Sequence, residues 1–387
     1  MTANPLDRSE LPPLGVGARL ERLRAAVAGD GAGGGGLGPD DLAMDGLVLT
    51  DLVSIRWLTG FTGSNAMVLV TADTVVFATD GRYGEQAVEQ LGAHGLDATV
   101  EVFTRRADQQ RLLSAAAAGL GRLGLEADAV TWAEQRHLST DWFPDATLVP
   151  TTGLVAELRR RKDEAEVARI EAAAGIADAA LDDVRSLLAE GPTEREFAVE
   201  LERTMVDRGA QGPSFPTICA SGPNSARPHA EPGDRTVRAG DLVVIDFGAL
   251  VDGYHSDMTR TIVVGQPSPD QVRLLEAATV AQARGAAAVR PGATAHEVDR
   301  ACRDALAERG LEDLLLHGTG HGVGLEIHEV PILRPDAGEE LSVGEVVTVE
   351  PGVYLPGTGG ARVEDTVVVT PDGARPLTRF AKDHAVV

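Results

Sequence analysis

Lysine is almost missing from this chain: of its 35 basic residues only Lys162 and Lys382 are not arginine. So even a skew reads as genomic composition bias rather than as function. Cysteine is equally scarce. Cys219 and Cys302 form no CxxC pair and no metal-ligand spacing, so a thiolate metal site is excluded and small buried thiols in a reducing compartment are expected. A disulfide between the two stays open, with nothing in the pattern pointing to it. No apolar run approaches a membrane span. The stretch MTANPLDRSELPPLG holds no apolar h-region, so no secretory signal is expected and the reading is soluble and cytoplasmic. Excess positive charge is missing too. A net charge of −24, from 35 basic and 59 acidic residues, argues against nucleic acid or an anionic membrane as the main partner.

What is present centres on Gly240–Thr261, GDLVVIDFGALVDGYHSDMTRT, which reads as a β-hairpin with carboxylates at its strand ends. Asp246 closes one apolar run and Asp257 opens the next. An ionised carboxylate beside a buried strand is costly unless paired or metal-bound. Alone, each Asp is equally well a turn residue or a partner of Arg260. The pattern recurs, however, in GEVVTVEPGVYLPGTGGARVEDTVVV, Gly344–Val369. Gly240 meets Gly344 and Asp246 meets Glu350 at an offset of 104 residues; after a longer turn, Asp257 meets Glu364 and Thr259 meets Thr366. Upstream, Thr193 with Glu196 and Thr294 with Glu297 repeat a Thr-x-x-Glu capping box, and both helices close on Arg-Gly pairs, Arg208-Gly209 and Arg309-Gly310. Two repeats of this length predict one domain of two related helix-helix-hairpin halves, whose facing hairpins pool four carboxylates.

The 387 residues suffice for two domains with a large core. Residues 1–17 read as a loose tail, Arg19–Ala28 as a helix and Gly29–Pro39 as a flexible glycine-dense loop. Strands are expected at Gly46–Leu49, Ala66–Val70, Thr74–Ala78 and Leu123–Glu126, and helices at Gly84–Leu91 and Gln109–Ala118. This alternation predicts an α/β domain over 1–150, with a boundary near Pro150–Gly153 and a second domain over 151–387. There, one long helix is expected from Val155 through Leu188, with Arg159–Lys162 a surface cluster facing Asp163, Glu164 and Glu166. A helix over Glu194–Asp207 follows, then a mostly loop segment over Phe215–Pro232 carrying His229, and helices at Pro269–Val289 and Ala295–Glu308.

Between the second helix pair and the second hairpin lies HGTGHGVGLEIHE, His317–Glu329. Glycine at every second position lets backbone approach something closely. The segment fits neither GxGxxG nor a zincin HExxH. A lone histidine in such a loop is usually structural; three within twelve residues, beside Glu350 and Glu364, favour ligation. Four clustered carboxylates carry −4, which two divalent cations neutralise. Oxygen ligation plus one imidazole suits Mn²⁺ or a similar ion, with Co²⁺, Zn²⁺ and Fe²⁺ open. Paired metals activate a water and polarise a carbonyl, the arrangement of hydrolases.

Asp246, Asp257, His321, Glu350 and Glu364, in order and local context, resemble the five ligands of the pita-bread metallopeptidases, the group of aminopeptidase P, prolidase and methionine aminopeptidase. SDMTRT, GTGHGVG, EPGVY and RVEDT look like its motifs, over about 155–387. Ile55–Asn65 and Thr79–Tyr83 are similar to the first domain of bacterial aminopeptidase P proteins, which methionine aminopeptidases lack. The resemblance implies an α+β, pita-bread (creatinase/aminopeptidase-like) C-terminal domain with pseudo-twofold halves, after an α/β creatinase-like N-terminal domain. It implies that Asp257 and Glu364 bridge two metals, that Asp246 chelates one of them, and that His321 and Glu350 complete the other. His229 and His328 match the substrate-side histidines, as donors to the scissile carbonyl and the oxyanion. Arg362 matches an arginine that orients a ligand carboxylate, and Glu350 is the proton shuttle. The expected activity is cleavage of the Xaa-Pro bond at the N-terminus of short proline-containing peptides, by a homodimer. The alternatives are an Xaa-Pro dipeptidase, with Arg334 a candidate for a free proline carboxylate, or, more distantly, a metal-free creatinase-like hydrolase or a non-catalytic binding module. His94, His137, His255 and His296 read as surface or helix residues.

Overall fold

The computed structural model describes residues 6–29 and 43–382. They divide into two compact units, one Pro13–Arg159, the other made of the described residues before Pro13 and those from Arg160 on. The glycine-dense stretch expected to be a loop lies, beyond Gly29, outside the described residues.

The first unit is built on a six-stranded sheet of β1 (Gly46–Leu49), β2 (Ala66–Thr71), β3 (Val75–Asp80), β4 (Thr99–Phe103), β5 (Arg122–Glu126) and β6 (Thr147–Thr151), in the order β4-β3-β2-β1-β5-β6. β1 runs antiparallel to β2 and parallel to β5. The expected helices form at Val16–Ala28, Gly84–Ala93 and Arg106–Ala116. The helix Leu52–Thr59, capped by Asp51 accepting from Ser54 N and burying Trp57, has no counterpart in the pattern reading. Nor has β4, whose residues alternate poorly between buried and exposed, or β6, which carries Pro150.

The second unit has the two halves that the repeat predicts. In the first, the helices Glu164–Val184 and Glu194–Asp207 cover β7 (Ile218–Ser221), β8 (Leu242–Phe247), the short pair β9 (Leu250–Val251) and β10 (Tyr254–His255), and β11 (Met258–Val263). In the second, Pro269–Ala288 and Ala295–Ala307 cover β12 (Gly320–Gly322), β13 (Glu329–Leu333), β14 (Val346–Val349), β15 (Gly352–Leu355), β16 (Gly359–Arg362), β17 (Asp365–Thr370) and β18 (Gly373–Pro376). Their sheets run β11-β8-β7 and β13-β12-β14-β17-β18. Each half buries its own core, Leu201, Met205, Ile245 and Met258 in one, Leu274, Val298, Val347 and Val367 in the other. Both capping boxes form, and Gly209 and Gly310 adopt the positive φ of 103° and 63° that helix-ending glycines supply. Cys219 and Cys302 are free and lie in different cores.

Two threonines stitch the halves together. Thr259 and Thr366, equivalent in the repeat, face across: Thr259 Oγ1 donates to Glu364 Oε2 at 2.6 Å, and Thr366 Oγ1 to the Asp257 carbonyl at 2.8 Å.

Three expectations fail for stated reasons. The long helix is two, Leu154–Arg160 and Glu164–Val184, because the chain between them pairs with the second half: Arg161 bridges Glu345, and Lys162 N donates to Gly344 O at 2.9 Å. Nor is the basic cluster a surface patch facing its acidic neighbours. Arg159, Arg160 and Lys162 are buried; Arg160 pairs with Glu345 and Lys162 with Glu329, each at 2.9 Å, while Asp163 serves as the next helix's N-cap. The Pro/Gly/Ser-rich stretch over 215–232, expected to be mostly loop, also contains β7, an edge partner for β8, because cross-strand pairing overrides weak local propensity. Of the expected loose tail, Leu6 N donates to Arg208 O at 3.1 Å and Pro12 O accepts from Arg169 at 2.9 Å, so residues 6–12 are fastened to the second unit.

Candidate active site

Hairpin geometry delivers the acids. Asp246 sits near the end of β8, opposite Thr259 of β11. Glu350 directly follows β14, its N–H donating to Thr319 O at 2.8 Å. Asp257 precedes β11 and Glu364 lies between β16 and β17, where Glu364 N donates to Thr259 O at 3.1 Å. His321 comes from the middle of β12, its N–H donating to Thr348 Oγ1 at 3.0 Å. Registers place Ser221 opposite Val243 and Gly322 opposite Val347, equivalent positions in the repeat, so Ala220 stands where the second half has His321. Only one half supplies an imidazole from this strand.

The glycines of GTGHGVG are required by neighbouring chain rather than by a ligand. A Cβ on Gly320 would lie 2.1 Å from Thr348 O, one on Gly322 2.4 Å from Val330 O, and one on Gly324 2.6 Å from the Glu329 carboxylate. Close strand packing is what the alternate glycines permit.

These residues share one cavity of about 170 Å³. Asp246, Asp257, His321, Glu350 and Glu364 line it, as do His229, His328 and Arg362. The structure therefore brings together every residue the sequence reading proposed for metal or catalysis. Asp257, His321 and Glu364 each present a ligand atom within 4.8 Å of the others, and His321 Nε2 stands 3.5 Å from both Asp257 Oδ2 and Glu350 Oε1. The His328 ring packs edge-on against His321, centroids 4.4 Å apart. Arg260 does not pair with either Asp of its hairpin; it pairs with Asp365 at 2.8 Å and reaches Phe380 O. Arg334 is exposed and absent from the cavity lining, so it is no receptor for a substrate carboxylate there.

The reading missed three lining residues and gave His317, one of the three loop histidines, no specific role. Phe215, Ile218 and Ile327 give the cavity an apolar wall, and His317 adds an imidazole whose Nε2 lies 2.9 Å from Tyr354 Oη. Isolated apolar residues in loops, or at the start of a strand as short as β7, carry no sequence signal. Glu194, also missed, is buried and collects Ser221 N at 2.7 Å, Asn224 Nδ2 at 3.0 Å and Gly233 N at 3.1 Å, fixing the loop that bears His229. Its repeat equivalent is Ala295, a break in symmetry visible in sequence but unreadable without the loop's position. His255, set aside as a surface residue, is half-buried and donates its N–H to Gly324 O at 2.9 Å.

Charge decides what the cavity suits. Burial, followed by the charges of Glu364, Asp246 and Glu350, holds the Asp257 carboxyl far above the usual carboxylate range. Glu364 is raised likewise, by burial and then by Glu350 and Asp246, and Glu350 is raised chiefly by burial. Burial lowers His321, keeping its imidazole neutral, the form that ligates. Asp246 Oδ1 and Glu364 Oε1 are buried without a hydrogen-bond partner, while their second oxygens are held by Arg362 and Thr259 at 2.6 Å each. Buried carboxylate oxygens without partners, in a cavity where Asp257, Glu364 and a neutral His321 imidazole lie within ligand reach of one another, fit divalent cations.

Arg362 is the clamp. Buried, it donates to Asp246 Oδ2 at 2.6 Å, to Thr259 Oγ1 at 3.0 Å and to Tyr354 Oη at 2.7 Å. Arg362→Leu is expected to weaken metal affinity about 10- to 100-fold, the usual cost of removing such an outer partner, which a metal titration of the variant checks.

Twin halves closing on a buried acid-and-imidazole cluster define the pita-bread fold of metal-dependent hydrolases. The chain belongs to metallopeptidase family M24, whose profile matches residues 168–371, and the Creatinase/Prolidase N-terminal domain matches 40–161. It is thus a metallopeptidase with a creatinase-type first domain, and the family implies divalent metal. It is similar to an Xaa-Pro dipeptidase of Pyrococcus furiosus, 45% identical over 59% of this chain and 66% of that one. A solved Xaa-Pro dipeptidase from Bacillus anthracis is 36% identical, covers 96% of this chain and 100% of its own, and superposes with a TM-score of 0.88. The X-Pro aminopeptidase structure from Thermotoga maritima is 33% identical over 88% and 97% of the two chains, with a TM-score of 0.82. No described helix is long and apolar enough to cross a membrane.

Proposed function

We propose that the protein hydrolyses the peptide bond between an N-terminal residue and proline, with Asp246, Asp257, His321, Glu350 and Glu364 holding two divalent cations, Mn²⁺ foremost. The observation that carries this reading is the single cavity lined by all five proposed ligands and by His229, His328 and Arg362. Bound cations would supply a water nucleophile at neutral pH and polarise the scissile carbonyl. His328, packed on His321, donates to the oxygen that becomes anionic as the carbonyl is attacked. His229 donates to the substrate from the opposite loop. Glu350 moves a proton to the proline nitrogen, a tertiary amide that leaves poorly unless protonated. Phe215, Ile218 and Ile327 offer the apolar surface that a pyrrolidine ring fills.

Dipeptides are the first substrate class, on the strength of the two dipeptidases to which the chain is similar. One observation favours longer peptides. Among the described lining residues Arg362 is the one arginine or lysine, and it is already engaged by Asp246 and Tyr354. Steady-state kinetics on Ala-Pro and Ala-Pro-Ala separate the two. On the dipeptidase reading Ala-Pro has the higher kcat/KM, by roughly tenfold or more, since an enzyme that recognises the free carboxylate of proline rejects a substrate lacking it there. The reverse ranking moves the protein to the aminopeptidase reading, and absence of cleavage of either peptide overturns both.

A further inference from the structure

The basic cluster after the first unit has no role in the proposed chemistry, yet its last member is one of the chain's two lysines and is buried. Lys162 Nζ lies 2.9 Å from Glu329 Oε2, with side-chain exposures of 1% and 5%. Glu329 is the residue after His328 and the first of β13. His328 stands just before the strand, where the buried Glu329 beside it faces Lys162 while His328 is exposed and lines the cavity.

The rest of the loop is gathered on the same carboxylate. Glu329 Oε1 accepts from Glu326 N at 3.1 Å, and Gly324 N donates to Glu326 O at 3.1 Å. Gly324 lies so near that an added Cβ would stand 2.6 Å from Glu329 Oε2. Lys162 is itself fixed, because its N–H donates to Gly344 O at 2.9 Å. The pairing of β12 with β13 shifts register between His321 and Gly322, so that Gly322 stands opposite Glu329 at the end of the loop.

We propose that Lys162 is a positioning residue: through its ion pair with Glu329 it sets the loop Gly324–Glu329 and thereby aims the His328 imidazole at the reacting carbonyl. The inference rests on the proposed role of His328. A stability role alone would make any neutral, well-packed replacement of the pair an active enzyme, as is common for buried ion pairs. A positioning role would not, because a shift of about 1 Å at a reacting group costs up to roughly a hundredfold in rate.

The test is a double-mutant cycle on the metal-loaded full chain, with Ala-Pro as substrate and with melting temperature and bound metal measured for each variant. K162M is compared with wild type, and K162M/H328A with H328A. Should K162M fail to fold, K162M/E329Q, which leaves no unpaired buried charge, replaces it in both arms. The expected result is a fall in kcat of roughly ten- to a hundredfold in the presence of His328, with KM within about twofold, and no further fall in H328A. An undiminished kcat, or the same fall in both backgrounds, overturns the inference while the role of His328 stands. If H328A turns over as fast as wild type, the proposed role of His328 falls, and the positioning role with it.

Discussion

Asp257→Asn is expected to reduce kcat on Ala-Pro by about a thousandfold or more, because losing a cation that polarises the carbonyl removes several kcal/mol of transition-state stabilisation. The same variant is expected to melt higher than wild type when both are stripped of metal. Asp257 is buried among Glu364, Asp246 and Glu350, and a neutral amide of the same shape relieves their repulsion. Inactivity joined to greater apo stability is the signature of a residue placed for chemistry at a cost to folding. Full turnover by Asp257→Asn, measured at saturating Mn²⁺, would falsify the metallopeptidase role proposed for the cluster.

The second large effect is a dependence of stability on metal and pH together. Asp257, Glu350 and Glu364 all have carboxyls raised in the folded protein by burial, and for Asp257 and Glu364 also by their neighbours' charges. The metal-free folded state thus holds these protons more tightly than the unfolded chain does. Stability from this source is complete below the ordinary carboxylate range and is lost as pH rises through the raised values. Chelated protein is therefore expected to lose stability between that range and neutrality. Cations compete for the same oxygens, so the stabilisation they confer grows with pH, reaching about 2.7 kcal/mol at a hundredfold excess over Kd. Calorimetry of chelated and reloaded protein across that interval checks both slopes. A metal-free melting temperature that does not fall with rising pH, or falls equally in Asp257→Asn, removes the electrostatic account of the cluster.

How much of this was legible beforehand divides along physical lines. Capping boxes, helix-ending glycines and apolar runs are local, and they placed Glu194–Asp207 with its ends intact and the hairpins to within a residue or two. Repetition made the acids readable as a set. An offset shared by Asp246 with Glu350 and by Gly240 with Gly344 implies equivalent places in two like folds, and like folds facing each other must bring equivalent residues close. The break between Arg160 and Glu164 was not legible, since nothing in RRRKDEAE announces that its cations have partners at Glu345 and Glu329. Nor was β7, whose reason for being a strand is the neighbour it pairs with.

By itself, then, the sequence determined that two similar halves exist, which acids and imidazole they contribute, and that neutralising so many pooled charges calls for cations. Tertiary structure alone decided which oxygens stay unpartnered, which apolar side chains wall the cavity, and which buried carboxylates gather the loops of His229 and His328. The reason is separation along the chain: a capping box or a repeat is a relation among near or periodically spaced residues, whereas Lys162 meets Glu329 only after both halves have closed.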